Sequence, residues 1–215
     1  MRGRRVSTDS PLRQRWFAWI YRYVDLAQRP MTAATRAALL GDLEGDVLDV
    51  GCGPGTNFEH YGAGARVTAV DYNPGMVRLA EETLRERGPF RATVEVRRAD
   101  AVALPFGDAS FDAYVTTLVL CSVPDLEAAV EEAWRVLRPG GALRIFEHVR
   151  SSSALMARVQ SALNPAWGYV ADGCRLDRAT DVMFKERGFE VIEERRPRMK
   201  AEPLPLVILK ARKPR

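Results

Sequence analysis

Between residues 47 and 57 the chain reads VLDVGCGPGTN, an apolar run that passes straight into a loop with Gly51, Gly53 and Gly55 at alternate positions and Asp49 two residues ahead of the first. Such glycines let a ligand approach backbone amides where a Cβ would otherwise collide. A dinucleotide loop, GxGxxG/A, would need its last small residue where this sequence has Thr56. The loop is GxGxG instead, and a carboxylate beside it would repel a pyrophosphate and attract a cation. Two more acids follow at comparable places, Asp71 at the end of the next apolar run and Asp100 at the end of the one after. At the tip of the second strand of an open α/β sheet, a carboxylate can accept hydrogen bonds from both ribose hydroxyls, or merely sit in solvent. Asp100, with Ala101 behind it, could take an adenine amino proton or be a plain loop carboxylate.

A second set of candidates lies further along. His148, one of two histidines, ends a later β-rich run, where a neutral imidazole could take a proton from an acceptor or be bonded structurally. Glu147 is either its orienting partner or a helix-capping acceptor. Cys121 could line an acceptor pocket, although a buried free cysteine commonly acts as a small hydrophobe, and Cys52 reads as packing beneath the loop. His60 reads as solvent-facing.

These residues need a scaffold of alternating strands and helices. Strands are expected at 47–50, 66–70, 93–97, 111–116 and 142–147, with helical stretches near 56–61, 75–87 and 125–137, a βαβ pattern that implies a parallel sheet. Residues 138–141, RPGG, read as a turn stopping a helix and starting a strand. Residues 151–163 read as helix, 164–176 as an irregular aromatic segment, and Asp177 as the cap of a helix running to about Arg187. Strands at 189–193 and 204–211 complete seven, an α/β doubly wound sheet. Ahead of it, Leu12, Trp16, Trp19, Ile20, Tyr23 and Val24 recur at helical spacing over 12–28, and after the break at Pro30 a second helix is expected over 31–41. The expected division is an N-terminal helical attachment or lid, 1–41, and a main domain, 42–215. The aromatic stripe either docks on a core or roofs the site, with Tyr21 and Tyr23 as pocket candidates. The 164–176 segment, with Trp167, Asp172 and Cys174, is too long for a simple connection, which makes it a candidate lid over an acceptor.

Together these motifs resemble the class I S-adenosylmethionine-dependent methyltransferases. The resemblance rests on Asp49 with Gly51, Gly53 and Gly55, on Asp71, on Asp100 and on the 138–141 turn, in that family's order and spacing across 46–148. It implies a sheet ordered 3-2-1-4-5-7-6 with strand seven antiparallel and S-adenosyl-L-methionine at the carboxyl ends of strands one to four. The implied cofactor-binding set is Asp49, Gly51, Gly53, Gly55, Asn57, Asp71, Tyr72, Met76, Asp100, Ala101 and Thr117. A narrower resemblance, carried by 117–123 (TLVLCSV), 147–149 (EHV) and 164–176 (NPAWGYVADGCRL), is to the methyltransferase-like subgroup that includes the membrane-associated alkyl-thiol S-methyltransferases of animals. It implies a small lipophilic thiol as acceptor. The candidate catalytic residues, from position and chemistry, are His148 and Glu147, and the candidate acceptor-binding set is Tyr21, Tyr23, Cys121, Trp167 and Asp172. Rival readings are N- or C-methylation of a lipid amine, quinone precursor or natural-product intermediate, a nicotinamide-dependent oxidoreductase, and a non-catalytic cofactor-binding protein. A sulfonium methyl is already electrophilic, so orientation can supply most of the rate, and a thiol needs little help from a base.

Composition narrows the partners. The 215 residues carry a net charge of +4, with 32 Lys and Arg against 28 Asp and Glu. The excess sits in 1–29 and 185–215, each +5, around a body of −6, which is unlike the face-wide basic stripe of a duplex binder. The basic, tryptophan-bearing N-terminal helix suits a lid or a weak contact with an anionic membrane surface better than nucleic acid. Three widely spaced cysteines without a CxxC pair indicate neither a disulfide framework nor a metal site, and with no secretory leader or spanning segment they suggest the cytoplasm. Oligomeric state leaves no signal.

Overall fold

Val47, Leu48 and Val50 are all buried, as a strand covered on both faces requires, and they lie in β1 (Gly45–Val50), the centre of a parallel sheet. The computed structural model describes residues 10–171, 173–197 and 204–215. Beside β1 on one side are β2 (Ala65–Asp71) and β3 (Thr93–Arg98). On the other are β4 (Phe111–Thr117), β5 (Leu137–His148), β7 (Leu206–Arg212) and β6 (Glu190–Arg195). The order is β3-β2-β1-β4-β5-β7-β6, and β7 runs antiparallel to both neighbours. In register, Val50 pairs with Val70 and Thr116, which brings the carboxyl ends of β1, β2 and β4 level.

The period of two along each strand sorts side chains between two cores. Leu48, Tyr114, Leu143 and Ile145 pack with Ala129 and Ala133 of α3 (Leu126–Val136) and Phe184 of α5 (Thr180–Arg187). Val47, Ala113, Val115 and Phe146 pack on the other face with Leu39 and Leu40 of α1 (Pro11–Leu40) and Ala80 of α2 (Pro74–Arg87). Asp49, Thr117 and His148 share the parity of this second face, whereas Thr116 and Glu147 belong to the first.

Several expected boundaries move. The two N-terminal helices are one that continues through Pro30, whose ring removes a backbone bond, with one side-chain bond spanning the proline and others on either side of it. Arg29 Nε donates to Asp25 Oδ2 at 2.6 Å, Thr32 Oγ1 to the Gln28 carbonyl at 3.1 Å and Arg36 Nε to Thr32 Oγ1 at 3.2 Å. The helix expected near 56–61 shrinks to a single 3-10 turn, Phe58–His60. Residues 138–141 are an excursion within β5, since Leu137 already pairs with Phe111 before Ala142 resumes with Ala113. The aromatic segment is not irregular until its end: α4 (Ala154–Val170) runs through Pro165, Trp167 and Tyr169. α5 starts after Ala179, and Asp177 instead accepts from Ser161 Oγ at 2.9 Å.

Helix α1 is turned the unexpected way round. Trp16, Trp19 and Tyr23 are 55%, 62% and 58% exposed, whereas Gln14, Ala18 and Asp25 are buried. Over residues 14–25 the inward face is largely polar because it covers a polar loop, whereas Leu39 and Leu40 at the other end of the helix enter the apolar core.

Candidate active site

At the end of β1 the glycine loop turns back over the sheet, and its glycines serve different purposes. A Cβ on Gly51 would come within 2.3 Å of Val119, and one on Gly55 within 2.4 Å of Phe58, so these two admit neighbouring protein side chains rather than a ligand. At Gly53, where φ is +55°, a Cβ would meet only Tyr21 Cε1 at 3.9 Å, which leaves room above the backbone. Asp71, at the tip of β2, fixes that loop: its carboxylate accepts from the Gly53 amide at 3.0 Å and the Asn73 amide at 2.8 Å. Thr83 of α2 holds the loop from behind, donating to the Pro54 carbonyl at 2.7 Å.

Asp49 is fully buried beneath the loop, and Asn57 Nδ2 donates to both of its oxygens at 3.1 and 3.0 Å. Burial pushes its pKa up to about 6, partly offset by Asn57, the Tyr61 phenol and the Arg36 guanidinium. Arg36 reaches in from α1, donating to Asn57 Oδ1 and, at 2.8 Å, to Thr117 Oγ1. Asn57 and Thr117, expected to touch a cofactor, are thus members of a buried network that supports Asp49. Thr56 donates to Asp25, a second tie between α1 and the loop.

Tyr72 is half-buried beside Arg98, which donates to its carbonyl at 3.1 Å, and Met76 is buried in the first turn of α2. Asp100 closes a tight turn after β3, receiving the Val102 amide at 3.3 Å, with Ala101 buried next to it. Carboxylates at the ends of β1, β2 and β3 around an open Gly53 form a donor set that fits a cationic cofactor carrying a ribose and an adenine. Asp71 would hold the ribose and Asp100 the adenine, and Asp49 would face the positive charge through its electrostatic field.

The ends of β4 and β5 carry different chemistry. Glu147 is fully buried on the α3 side, accepting from Thr116 Oγ1 at 3.0 Å, from the Val119 amide at 2.9 Å and from the Leu120 amide at 3.1 Å. None of these bonds caps a helix or reaches His148, so the structure places Glu147 as a support of the turn after β4 and not as a hydrogen-bonded partner of the imidazole. Burial raises its pKa, and those bonds oppose the rise. What it stabilises is a strained turn: Leu118 has φ +59°, a costly conformation for a residue with a Cβ. That turn sends the chain back toward His148.

Cys121, His148 and Cys174 converge there, from three separate segments, with one ligand atom of each within 4.8 Å of the others. Cys174 Sγ lies 3.2 Å from His148 Nε2, and Trp167 Nε1 donates to the same sulfur at 3.2 Å. The Cys121 thiol, followed by His148 and Trp167, brings the Cys174 pKa down to about 5 against the opposing effect of burial. Burial alone would lower the His148 pKa, but Cys174 and Glu147 raise it. His148 Nδ1 is buried without a hydrogen-bond partner among the described residues. This grouping, and the metal ion it could hold, escaped a reading based on CxxC spacing.

Other candidates fall elsewhere. Tyr21 is half-buried above Gly53, its phenol pushed up by burial and Asp25, so it faces the site. Tyr23 points outward against Trp19, ring centroids 5.5 Å apart, and does not line a pocket. Trp167 reaches the cluster from a helix rather than a loop, and Asp172 lies outside the described residues. The His60 side chain is only 11% exposed, not solvent-facing. Arg36 was missed, although an arginine within the otherwise uncharged 31–40 stretch was a usable signal.

The family described as methyltransferase domain matches residues 48–145. The chain is similar to the human thiol S-methyltransferase TMT1A, 33% identical over 189 residues that cover 84% of this chain and 78% of that protein. It also superposes on a SAM-dependent methyltransferase from Methanosarcina mazei, with TM-score 0.64 and 24% identity over 80% of this chain and 93% of the other. The [4+2]-cyclase SpnF gives TM-score 0.69 at 22% identity, over 88% and 82%. At those identities the two structures speak for the fold alone, which hosts more than one kind of reaction.

Proposed function

The chain belongs to the class I S-adenosylmethionine-dependent methyltransferases, and on that premise we propose that it methylates small lipophilic thiols. When bound, S-adenosyl-L-methionine supplies an electrophilic methyl group on a sulfonium. The chain must therefore hold an acceptor atom in line with it and shelter the encounter, and near-attack geometry accounts for most of such a rate.

The observation that carries the thiol reading is the contrast between Glu147 and the cluster beside it. Every nearby hydrogen-bonding demand on Glu147 comes from Thr116, Val119 and Leu120, so it is not available as a strong base for an alcohol. The residues at the acceptor side are Cys121, His148 and Cys174, whose chemistry suits a proton as labile as that of a thiol, with its ordinary pKa near 8.5. The similarity to a named thiol S-methyltransferase supports the same choice. The test is methyl transfer from labelled cofactor to size-matched alkyl thiols, amines and phenols, read by mass spectrometry. Thiols should lead by at least about tenfold; preference for an amine would overturn the reading.

The acceptor in this proposal is a small molecule rather than nucleic acid, and the setting is the cytoplasm, consistent with three free cysteines. No helix among the described residues is long and apolar enough to cross a membrane. We also propose weak peripheral contact with anionic lipid through the outer face of α1, where Leu12, Trp16 and Trp19 are exposed among arginines. Co-sedimentation with anionic but not neutral vesicles, abolished by Trp16→Ala with Trp19→Ala, would support it; equal binding to both vesicle types would not.

A further inference from the structure

We propose that Cys121, His148 and Cys174 form a binding site for one thiophilic divalent cation, zinc being the natural occupant, whose fourth position takes the acceptor sulfur. The inference deepens the thiol reading and rests on it for the identity of the fourth ligand, but the cation site itself stands on geometry.

The donors are two sulfurs and one imidazole, a set that zinc prefers and that magnesium or calcium does not. Two cysteines and a histidine also make up a catalytic arrangement in which three protein ligands leave one position open. The ligand atoms lie within 4.8 Å of one another. Around a tetrahedral ion with metal–sulfur bonds of about 2.3 Å, sulfurs stand roughly 3.8 Å apart, so the cluster needs only small side-chain adjustments to close on a cation. Each ligand comes from a different support: Cys121 follows the turn held by Glu147, His148 ends β5, and Cys174 follows α4. The Arg175 amide donates to the Cys121 carbonyl at 2.9 Å, which joins two of these segments directly. Trp167 already supplies an N–H to the Cys174 sulfur, the kind of outer bond that orients a metal-bound thiolate.

The position suits the reaction. The cluster lies at the ends of β4 and β5, on the carboxyl edge shared with the glycine loop. As a thiol takes the open position, its S–H bond breaks and the proton leaves to water. A sulfur lone pair then forms the new S–CH3 bond while the methyl–sulfonium bond breaks, its electron pair passing to the departing sulfur of the cofactor. The product thioether is neutral, a poorer ligand than the thiolate, and so vacates the cation.

The full-length chain, stripped with chelator under reducing conditions, should be titrated with cobalt(II) and then zinc. One equivalent of cobalt should produce a thiolate-to-metal charge-transfer band that zinc removes, and zinc should shield two of three thiols from a thiol reagent. Cys174→Ser and His148→Ala should each weaken cobalt binding at least about tenfold, while Cys52→Ser leaves it unchanged. Circular dichroism and cofactor affinity establish that each variant is folded. An alkyl thiol should shift the cobalt d–d bands if it enters the fourth position. Absence of the charge-transfer band, or a Cys121–Cys174 disulfide in the reduced preparation, overturns the site. Unchanged thiol methylation by rigorously metal-free protein removes the cation from the reaction and leaves the thiol reading intact. Stoichiometric cobalt without a spectral response to thiols, and without transfer to them, defeats the thiol reading and retains the site.

Discussion

At the ends of β1, β2 and β3 the chemistry is carried by carboxylates, each within a few residues of the turn it serves, and Asp71 is bonded directly to the loop it stabilises. At the ends of β4 and β5 it is carried by two sulfurs and an imidazole drawn from distant parts of the chain. The first region is local and electrostatic, matched to a ligand of fixed chemistry. The second is assembled by tertiary structure and can be retuned without disturbing the first. If that division is real, substitutions should separate cofactor affinity from acceptor handling.

The largest separation should come from Asp71→Ala. It removes a charged acceptor from two loop amides and from the ribose it would hold, a loss of about 2.7 kcal/mol, so cofactor affinity measured by calorimetry should fall on the order of a hundredfold. Cobalt binding at Cys121, His148 and Cys174 should not change, and a matching loss there would break the comparison. Glu147→Gln should cost about 2 kcal/mol, because an amide serves three donors less well than a carboxylate, and lower the melting temperature by roughly 4–8 °C. Turnover should fall by less than about tenfold; a drop beyond a hundredfold with unchanged melting would make Glu147 part of the chemistry.

A smaller effect comes from Asp49. Its folded pKa is about 6, and a cationic cofactor favours the ionised form, so affinity should decline as pH falls through 6. Between pH 7 and 5 the decline should reach at most about tenfold, and Asp49→Asn should flatten it. A dependence of opposite sign would remove Asp49 from the cofactor's field. Smallest is Trp167→Phe, which takes one N–H from the Cys174 sulfur and should raise the thiol KM roughly threefold with cofactor affinity unaltered. A change in cofactor affinity instead would blur the two regions.

The same division governs what the sequence revealed. The strands themselves, the glycine loop and the three acids could be read because their spacing is set by a single βα unit at a time, whereas the strand order came only as what the family resemblance implied. The grouping of Cys121, His148 and Cys174 could not, since it depends on α4 running on through Pro165 and delivering Cys174 back to the sheet. Nor could the facing of Glu147 and His148: in a strand buried on both sides, apolar residues such as Leu143, Ile145 and Phe146 occupy both parities, so no alternation shows which neighbour points where. The inverted α1 misled for a related reason. Amphipathic spacing identified the helix, but the usual inference that its apolar face turns inward fails where the surface beneath is Asp49, Asn57 and Thr56 rather than a hydrocarbon core.

The three glycines of the loop answer to different selective demands. Replacing Gly51 or Gly55 with alanine drives a methyl group into Val119 or Phe58, so such variants should vanish from the soluble fraction whatever the ligand supplied. Alanine at Gly53 strains one backbone angle but strikes no neighbour, and the chain should still be recovered intact with its defect confined to the ligand. In a library of random variants, the outer positions would report on folding and the middle one on recognition.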